Sequence, residues 1–316
     1  MSDRWPVLRA ALQANYAFRQ LDIVQPDPLL VQTERGLKKV RFWTDERLLQ
    51  RHIDWRRRLS GGEFFVDRMY ATVYGDLFIR FDRAALTCHD APFDRARIDG
   101  NEALWAETLC SLFKRSRGSR SSVVRTRTPV AQQVTGLYAR LTQLDGRGAL
   151  TRLLRACYPS ALERAETADQ LRRRHLPEQQ CFTLPQQFSL RDSRQVLGTL
   201  FLELGQSLPV EGFKEVSRFF VATSIENEPS AQKLLGMASE RGAFAGTNGE
   251  LLLAEWFSPQ EWIETVAASD PIDAAGEQAN IAFLKQTWDA KVRLIRFLTS
   301  QSGGMTAIVD ESGGGR

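Results

Sequence analysis

The residues with the clearest chemical potential lie between Arg172 and Asp192. A polar loop, Arg172-Arg173-Arg174-His175-Leu176-Pro177-Glu178-Gln179-Gln180, leads into Cys181-Phe182-Thr183-Leu184. A Pro185-Gln186-Gln187 turn follows, then Phe188-Ser189-Leu190-Arg191-Asp192. Two short β-forming runs around a Pro-initiated turn predict a small hairpin closed by an acid. Phosphoryl transfer uses such a layout: an Asp orients the attacking hydroxyl, an Asn five residues on holds metal, and an acid past the hairpin holds magnesium. Here His175 stands at the catalytic Asp position and Gln180 at the Asn position, while Asp192 keeps a metal-binding side chain. A slip of one residue would put Arg191 in its place.

The exchanges bear directly on activity. Catalysis of phosphoryl transfer is positioning and charge neutralisation, so losing the acceptor acid and the metal amide removes both. His cannot serve as an anionic acceptor, and Gln is one methylene longer than Asn. The expected architecture is a kinase-like fold with a degenerate catalytic loop. His175 could still act as an unorthodox base, because imidazole takes up protons near neutral pH.

The elements that would position this loop follow from the rest of the chain. With 316 residues and 43% apolar content it can bury a sizeable core, with two lobes expected. No apolar run of about 18 residues predicts a membrane span, and Met1-Ser2-Asp3-Arg4-Trp5 lacks a secretion-signal pattern, which predicts a cytosolic protein. Cys88, Cys110, Cys157 and Cys181 are isolated singles with His52, His89 and His175 as the histidines, a set that predicts neither a zinc site nor a disulfide framework.

Before the loop, residues 6 to 15 predict a helix, then strands at 18–24 and 29–33 joined through Gln25-Pro26-Asp27-Pro28. An active kinase places glycines at that junction so that backbone N–H groups cover phosphates; here two prolines remove donors. Leu37 to Phe42 predicts the strand whose lysine pairs with phosphate, either Lys38 or Lys39. Thr44 is the expected cap of a helix ending at Gly61-Gly62, and Asp54 or Glu46 on that helix is the expected partner of the lysine. A meander through Phe64-Phe65-Val66, Met69 to Val73, Leu77 to Phe81 and Leu86-Thr87-Cys88 completes a small lobe, and His89-Asp90-Ala91-Pro92 reads as a hinge.

These segments carry a resemblance. Leu37-Lys38-Lys39-Val40-Arg41 with the Leu48 to Leu59 helix, Phe65 to Tyr70 with Tyr74-Gly75-Asp76, and Trp105 to Phe113 resemble the bacterial spore-coat kinase-like proteins. That family is related to the aminoglycoside phosphotransferase and choline kinase fold. The similarity runs over residues 1 to 117 and weakens afterwards. It implies an α+β, two-lobed, protein-kinase-like fold: a β-rich N-lobe at 1–90, a helical C-lobe at 91–300 and a tail at 301–316. It also implies a role in endospore coat formation, in the mother-cell cytoplasm and the coat, with coat or morphogenetic proteins as partners. On this reading the protein is a pseudokinase with no cofactor. The alternative is an ATP- and magnesium-dependent small-molecule phosphotransferase using Lys38, Asp54 and Asp192.

In the large lobe, Leu104, Trp105, Thr108, Leu109, Leu112 and Phe113 trace one helical face. Six basic residues and no acid fall between Lys114 and Arg127, whereas ten acids fall between Glu226 and Glu277. The basic stretch could meet an anionic partner. It has no interleaved aromatic residue to stack on bases, which argues against nucleic acid. Thr128-Pro129 predicts a helix start, Pro159 a break within 150–174, and the chain beyond Asp192 is expected to be helical, beginning with 194–206.

Overall fold

The computed structural model describes residues 4–60, 65–91, 94–116, 128–143, 148–175, 183–186, 188–207, 209–268 and 274–301. In chain order its elements are α1 (Trp5–Tyr16), β1 (Leu21–Pro26), β2 (Leu29–Thr33), β3 (Gly36–Trp43), α2 (Glu46–Leu59), β4 (Phe65–Val66), β5 (Ile79–Phe81) and β6 (Ala84–Asp90). Then come α3 (Glu102–Ser116), α4 (Val130–Leu141), α5 (Ala149–Arg173), β7 (Thr183–Leu184), β8 (Ser189–Asp192), α6 (Arg194–Leu197), β9 (Leu200–Glu203) and β10 (Val210–Glu211). Five helices close the chain: α7 (Lys214–Glu226), α8 (Glu228–Glu240), α9 (Thr247–Phe257), α10 (Gln260–Ala267) and α11 (Ala274–Gln301).

The chain divides into two units. Residues 1–97 and 185–209 form the smaller, and 98–184 with 210–316 form the larger. The smaller unit is built on an antiparallel sheet in the order β1-β2-β3-β6-β5. Side chains alternate faces along a strand, so β3 sends Val40 to one side and Trp43 to the other. Val40 joins Leu12 and Tyr16 of α1, with Leu86 and Cys88, in one core. Trp43 joins Leu49 and Ile53 of α2, with Met69 and Ala85, in a second. The β2–β3 turn closes on Gly36, whose φ of +83° is one that side-chain-bearing residues rarely adopt.

Several expected elements differ. Asp45, not Thr44, caps α2, its carboxylate accepting from the amides of Arg47 and Leu48. Met69–Val73 forms no strand. The expected hairpin around Pro185 is two separate pairings: β7 lies against β10, and β8 against β9, which in turn pairs with β4 in parallel. The expected helix at 194–206 is only the single turn α6 followed by β9. The span Leu200-Phe201-Leu202 is apolar without a polar face, and such a short run fits a buried strand as well as a helix.

The larger unit is helical around a core in which Val134, Leu154, Ala161, Trp262 and Leu284 meet. α5 runs through Pro159 without ending. The start of α4 is capped from a distance: the Asp169 carboxylate on α5 accepts from the amides of Val130 and Ala131 at 3.0 and 2.9 Å. Trp256 and Trp262 are core residues. No helix among the described residues is long and apolar enough to cross a membrane.

Candidate functional site

The alternation of β3 separates the two candidate lysines. Lys38 lies opposite Asp90 in the β3–β6 register, on the α1 side. It is buried, and its ammonium donates to Asp90 at 2.8 Å, to the Arg35 carbonyl at 2.7 Å and to Tyr70 at 3.2 Å. Burial opposes its charge, but Asp90 and Tyr70 outweigh burial and hold its pKa above the ordinary value. Lys39, Arg41 and Trp43 face the α2 side, opposite His89, Thr87 and Ala85.

On that side the small lobe assembles a dense polar network. Trp43 donates from Nε1 to Thr87 Oγ1 at 2.8 Å, and Thr87 Oγ1 lies 2.7 Å from His89 Nε2. The indole can only donate to Thr87 Oγ1, which leaves the Thr87 proton free to serve His89 Nε2 in the tautomer that carries its ring proton on Nδ1. Nδ1 faces Asp67 Oδ1 at 2.7 Å, a close polar contact without full hydrogen-bond alignment. Asp67 Oδ2 also meets Arg41 at 3.1 Å and Arg56 at 3.2 Å.

The two guanidiniums then clamp a backbone segment. Arg41 Nη1 donates to the carbonyls of Leu204 and Gly205, and Arg56 Nη2 reaches the same two at 3.1 and 3.3 Å. Arg56 also donates to His52 Nδ1 at 2.7 Å and to the Asp67 carbonyl at 2.8 Å.

The charge states follow from these contacts. Burial, reinforced by Arg56, lowers His52 to about 4. Burial lowers His89 to about 4 as well, Asp67 opposing and the two arginines adding to the fall. Burial brings Arg56 down to about 10 despite Asp67, leaving it charged at neutral pH. For Asp67 burial opposes ionisation, but His89, Arg41 and Arg56 outweigh it and hold the carboxyl well below its usual range.

Beside the network sits Glu203, the last residue of β9. Its carboxylate pairs with Lys39, accepts from Arg191 Nε at 2.8 Å and lies 3.6 Å from Arg41. Burial raises its pKa, but Lys39 and Arg191 outweigh burial and keep it ionised. A cleft of about 360 Å3 opens here, lined by the Pro26–Leu29 turn, Lys39, Arg41, Gly205 and Gln206.

The expected site residues are distributed differently. Neither acid of α2 reaches a β3 lysine: Asp54 is exposed and accepts from Gln50, while Glu46 lies 3.1 Å from Arg80. The helix contributes Arg56 instead. The Asp192 carboxylate is bound by Arg194, whose hydrogen bond lowers its pKa, so it is engaged two residues along its own turn. Arg191, its alternative, is on Glu203. His175 follows α5 in the larger unit, with Nε2 2.9 Å from Glu250 Oε2. Gln180 and the stretch from Arg117 to Arg127 lie outside the described residues.

Glu203, Asp67, Arg41 and Arg56 were missed by reasoning from sequence. One signal was present for Glu203: Glu203-Leu204-Gly205 follows a strand and spells acid, apolar, glycine, as the magnesium-binding Asp-Phe-Gly of kinases does. Reading 194–206 as a helix concealed it.

No family model matches the chain, and no curated protein matches it. Solved structures do match. An aminoglycoside phosphotransferase from Alicyclobacillus acidocaldarius superposes with a TM-score of 0.66 at 11% identity, over 94% of this chain and 96% of that one. Spectinomycin phosphotransferase superposes at 0.54 in its AMP-bound complex, over 94% and 99% of the two chains. With ADP and spectinomycin bound it superposes at 0.51, over 94% and 98%; both comparisons are at 11% identity. The chain has the aminoglycoside phosphotransferase-like kinase fold, with a small antiparallel-sheet lobe and a large helical one.

ATP and magnesium are the groups that this fold implies, and the Glu203 side chain and the β1–β2 turn of the small lobe fit them poorly as they stand. Magnesium takes carboxylate oxygens, whereas the Glu203 carboxylate is neutralised by three cations. The turn at the cleft has Pro26 and Pro28 where amides would meet phosphate.

Proposed function

We propose that this chain is a catalytically degenerate kinase-fold protein that serves as a binding or structural element. The observation that carries the reading is the state of Glu203. The acid that ends β9 and precedes Leu204-Gly205 is held by Lys39 and Arg191, while Arg41 and Arg56 clamp the next two carbonyls. Binding magnesium there requires breaking those ion pairs and leaving the released cations uncompensated in a partly buried site. His175 and Gln180, at the positions of the catalytic Asp and Asn, support the same reading.

The biological setting we propose is assembly of the endospore coat, with coat or morphogenetic proteins as partners, in the mother-cell cytoplasm and the coat. It rests on the sequence resemblance over residues 1 to 117. A fluorescent fusion in a spore-forming host tests it: signal on the forespore surface is expected, and uniform signal throughout sporulation overturns it.

One observation favours a second reading, an active small-molecule phosphotransferase using ATP and magnesium. Lys39 and Glu203 remain side by side, and displacing Arg191 would free one carboxylate oxygen. Thermal unfolding with ATP, with and without magnesium, separates the two. A ligand at a hundred times its dissociation constant contributes about 2.7 kcal/mol of stability, a shift of several degrees. No magnesium-dependent shift and no phosphate release are expected. A magnesium-dependent shift with turnover that is lost in Lys39→Ala establishes the second reading.

A further inference from the structure

The large lobe holds an open cavity of about 770 Å3 among its helices, within the size range of sites that take small organic molecules. Its acids are already engaged. Asp169 caps α4, Glu255 pairs with Arg172 at 2.9 Å, and Glu261 pairs with Lys291. Glu264 accepts from Gln260 at 3.0 Å and lies 3.9 Å from Arg218. No lining carboxylate is left to meet a cationic ligand.

The cations are not all engaged. Arg173, exposed at the end of α5, and Lys214, half-buried at the start of α7, line the cavity without an ion-pair or hydrogen-bond partner among the described residues. Ser217 and Thr287 are buried in its wall, and their hydroxyls make no hydrogen bond among those residues. The apolar part of the wall includes Val130, Val221 and Ala222, and beside them Ile225 and Phe283, each 43% exposed, are large apolar side chains left open to solvent. Two unpaired cations, spare hydroxyl donors and an apolar wall define the complement of an anion with an apolar body.

We propose that this cavity binds a small organic anion, its phosphate or carboxylate head held between Arg173 and Lys214 and its apolar body lying against Val221, Ile225 and Phe283. The site belongs to the large lobe alone and does not depend on the nucleotide chemistry of the preceding reading.

The test is thermal unfolding of the full chain at low ionic strength with phenyl phosphate, phenylacetate, inorganic phosphate or benzylamine, none of which involves nucleotide or metal. At least one aryl anion is expected to raise the melting temperature by several degrees, and benzylamine to leave it unchanged. The stronger of phenyl phosphate and phenylacetate identifies the head group. Charge reversal in Arg173→Glu/Lys214→Glu is expected to abolish the shift while leaving the unliganded melting temperature near that of the parent. If the double variant does not fold, Lys214→Ala is titrated instead, with about tenfold weaker binding expected from one lost charge-assisted bond. Absence of a shift with both aryl anions, or a shift that survives the substitutions, overturns the proposal. An equal response to inorganic phosphate overturns its apolar half.

Discussion

Asp67 in the small lobe and Glu261 in the large lobe are both buried carboxylates set between two cations. Asp67 lies between Arg41 and Arg56, and Glu261 between Arg164 and Lys291. Each cluster carries a surplus positive charge, and in each backbone carbonyls meet it. Leu204 and Gly205 serve the first, Trp256 and Ser258 the second. The difference lies in what surrounds them. Asp67 is further enclosed by the His89–Thr87–Trp43 chain and by His52, with Arg41 reaching the small cleft, whereas Glu261 and Lys291 line the larger cavity. A buried cation cluster can therefore fasten one segment of chain to another and also form the wall of a site.

The comparison is most exposed to test at the carboxylates. Asp67→Ala strands two buried guanidiniums and is expected to cost about 3–5 kcal/mol in urea unfolding. Glu261→Gln keeps an amide oxygen as acceptor for its two buried cations, so about 2–3 kcal/mol is expected. A larger loss at Glu261 than at Asp67 would show that the retained acceptor does not relieve its cluster.

A pH series sharpens the contrast next. His52 and His89 have folded values of about 4 against an ordinary 6.5, so below pH 6.5 the unfolded chain takes up protons that the folded chain refuses. Their contribution is complete above about pH 6.5 and is lost as pH falls toward 4. Asp67, also depressed, contributes its loss only below its ordinary 3.8. Amide exchange at pH 7 and 5 is expected to show small-lobe strands β3 and β6 losing protection, and His52→Gln/His89→Gln to flatten that dependence. The smallest effect is at the network's edge: Trp43→Phe removes one donor to Thr87 and is expected to cost about 1 kcal/mol, read by urea unfolding.

Much of the architecture was legible along the chain. The helices 5–16, 228–240, 247–257 and 274–301 and the strands 29–33 and 36–43 lie close to where apolar spacing and turn residues predicted them. The site was less legible. Lys38 and Lys39 are equivalent until the sheet assigns each a face, because alternation separates neighbours without saying which face carries which core. Glu203 was hidden by a short apolar run whose period does not distinguish strand from helix. Asp192 looked available because a linear reading does not show Arg194 folding back onto it.

The sequence by itself determined the amphipathic helices and the Pro-stiffened β1–β2 turn, because these depend on local spacing and side-chain chemistry. Only the tertiary structure decided that Asp67 would gather Arg41, Arg56 and His89, that Glu203 would be held by Lys39 and Arg191, and that Arg173 and Lys214 would line a cavity without a partner among the described residues. Partners more than a hundred residues apart, such as Lys39 and Glu203, are chosen by which strands pair and which faces are buried, and the cost of burying a charge alone selects among the pairings that remain.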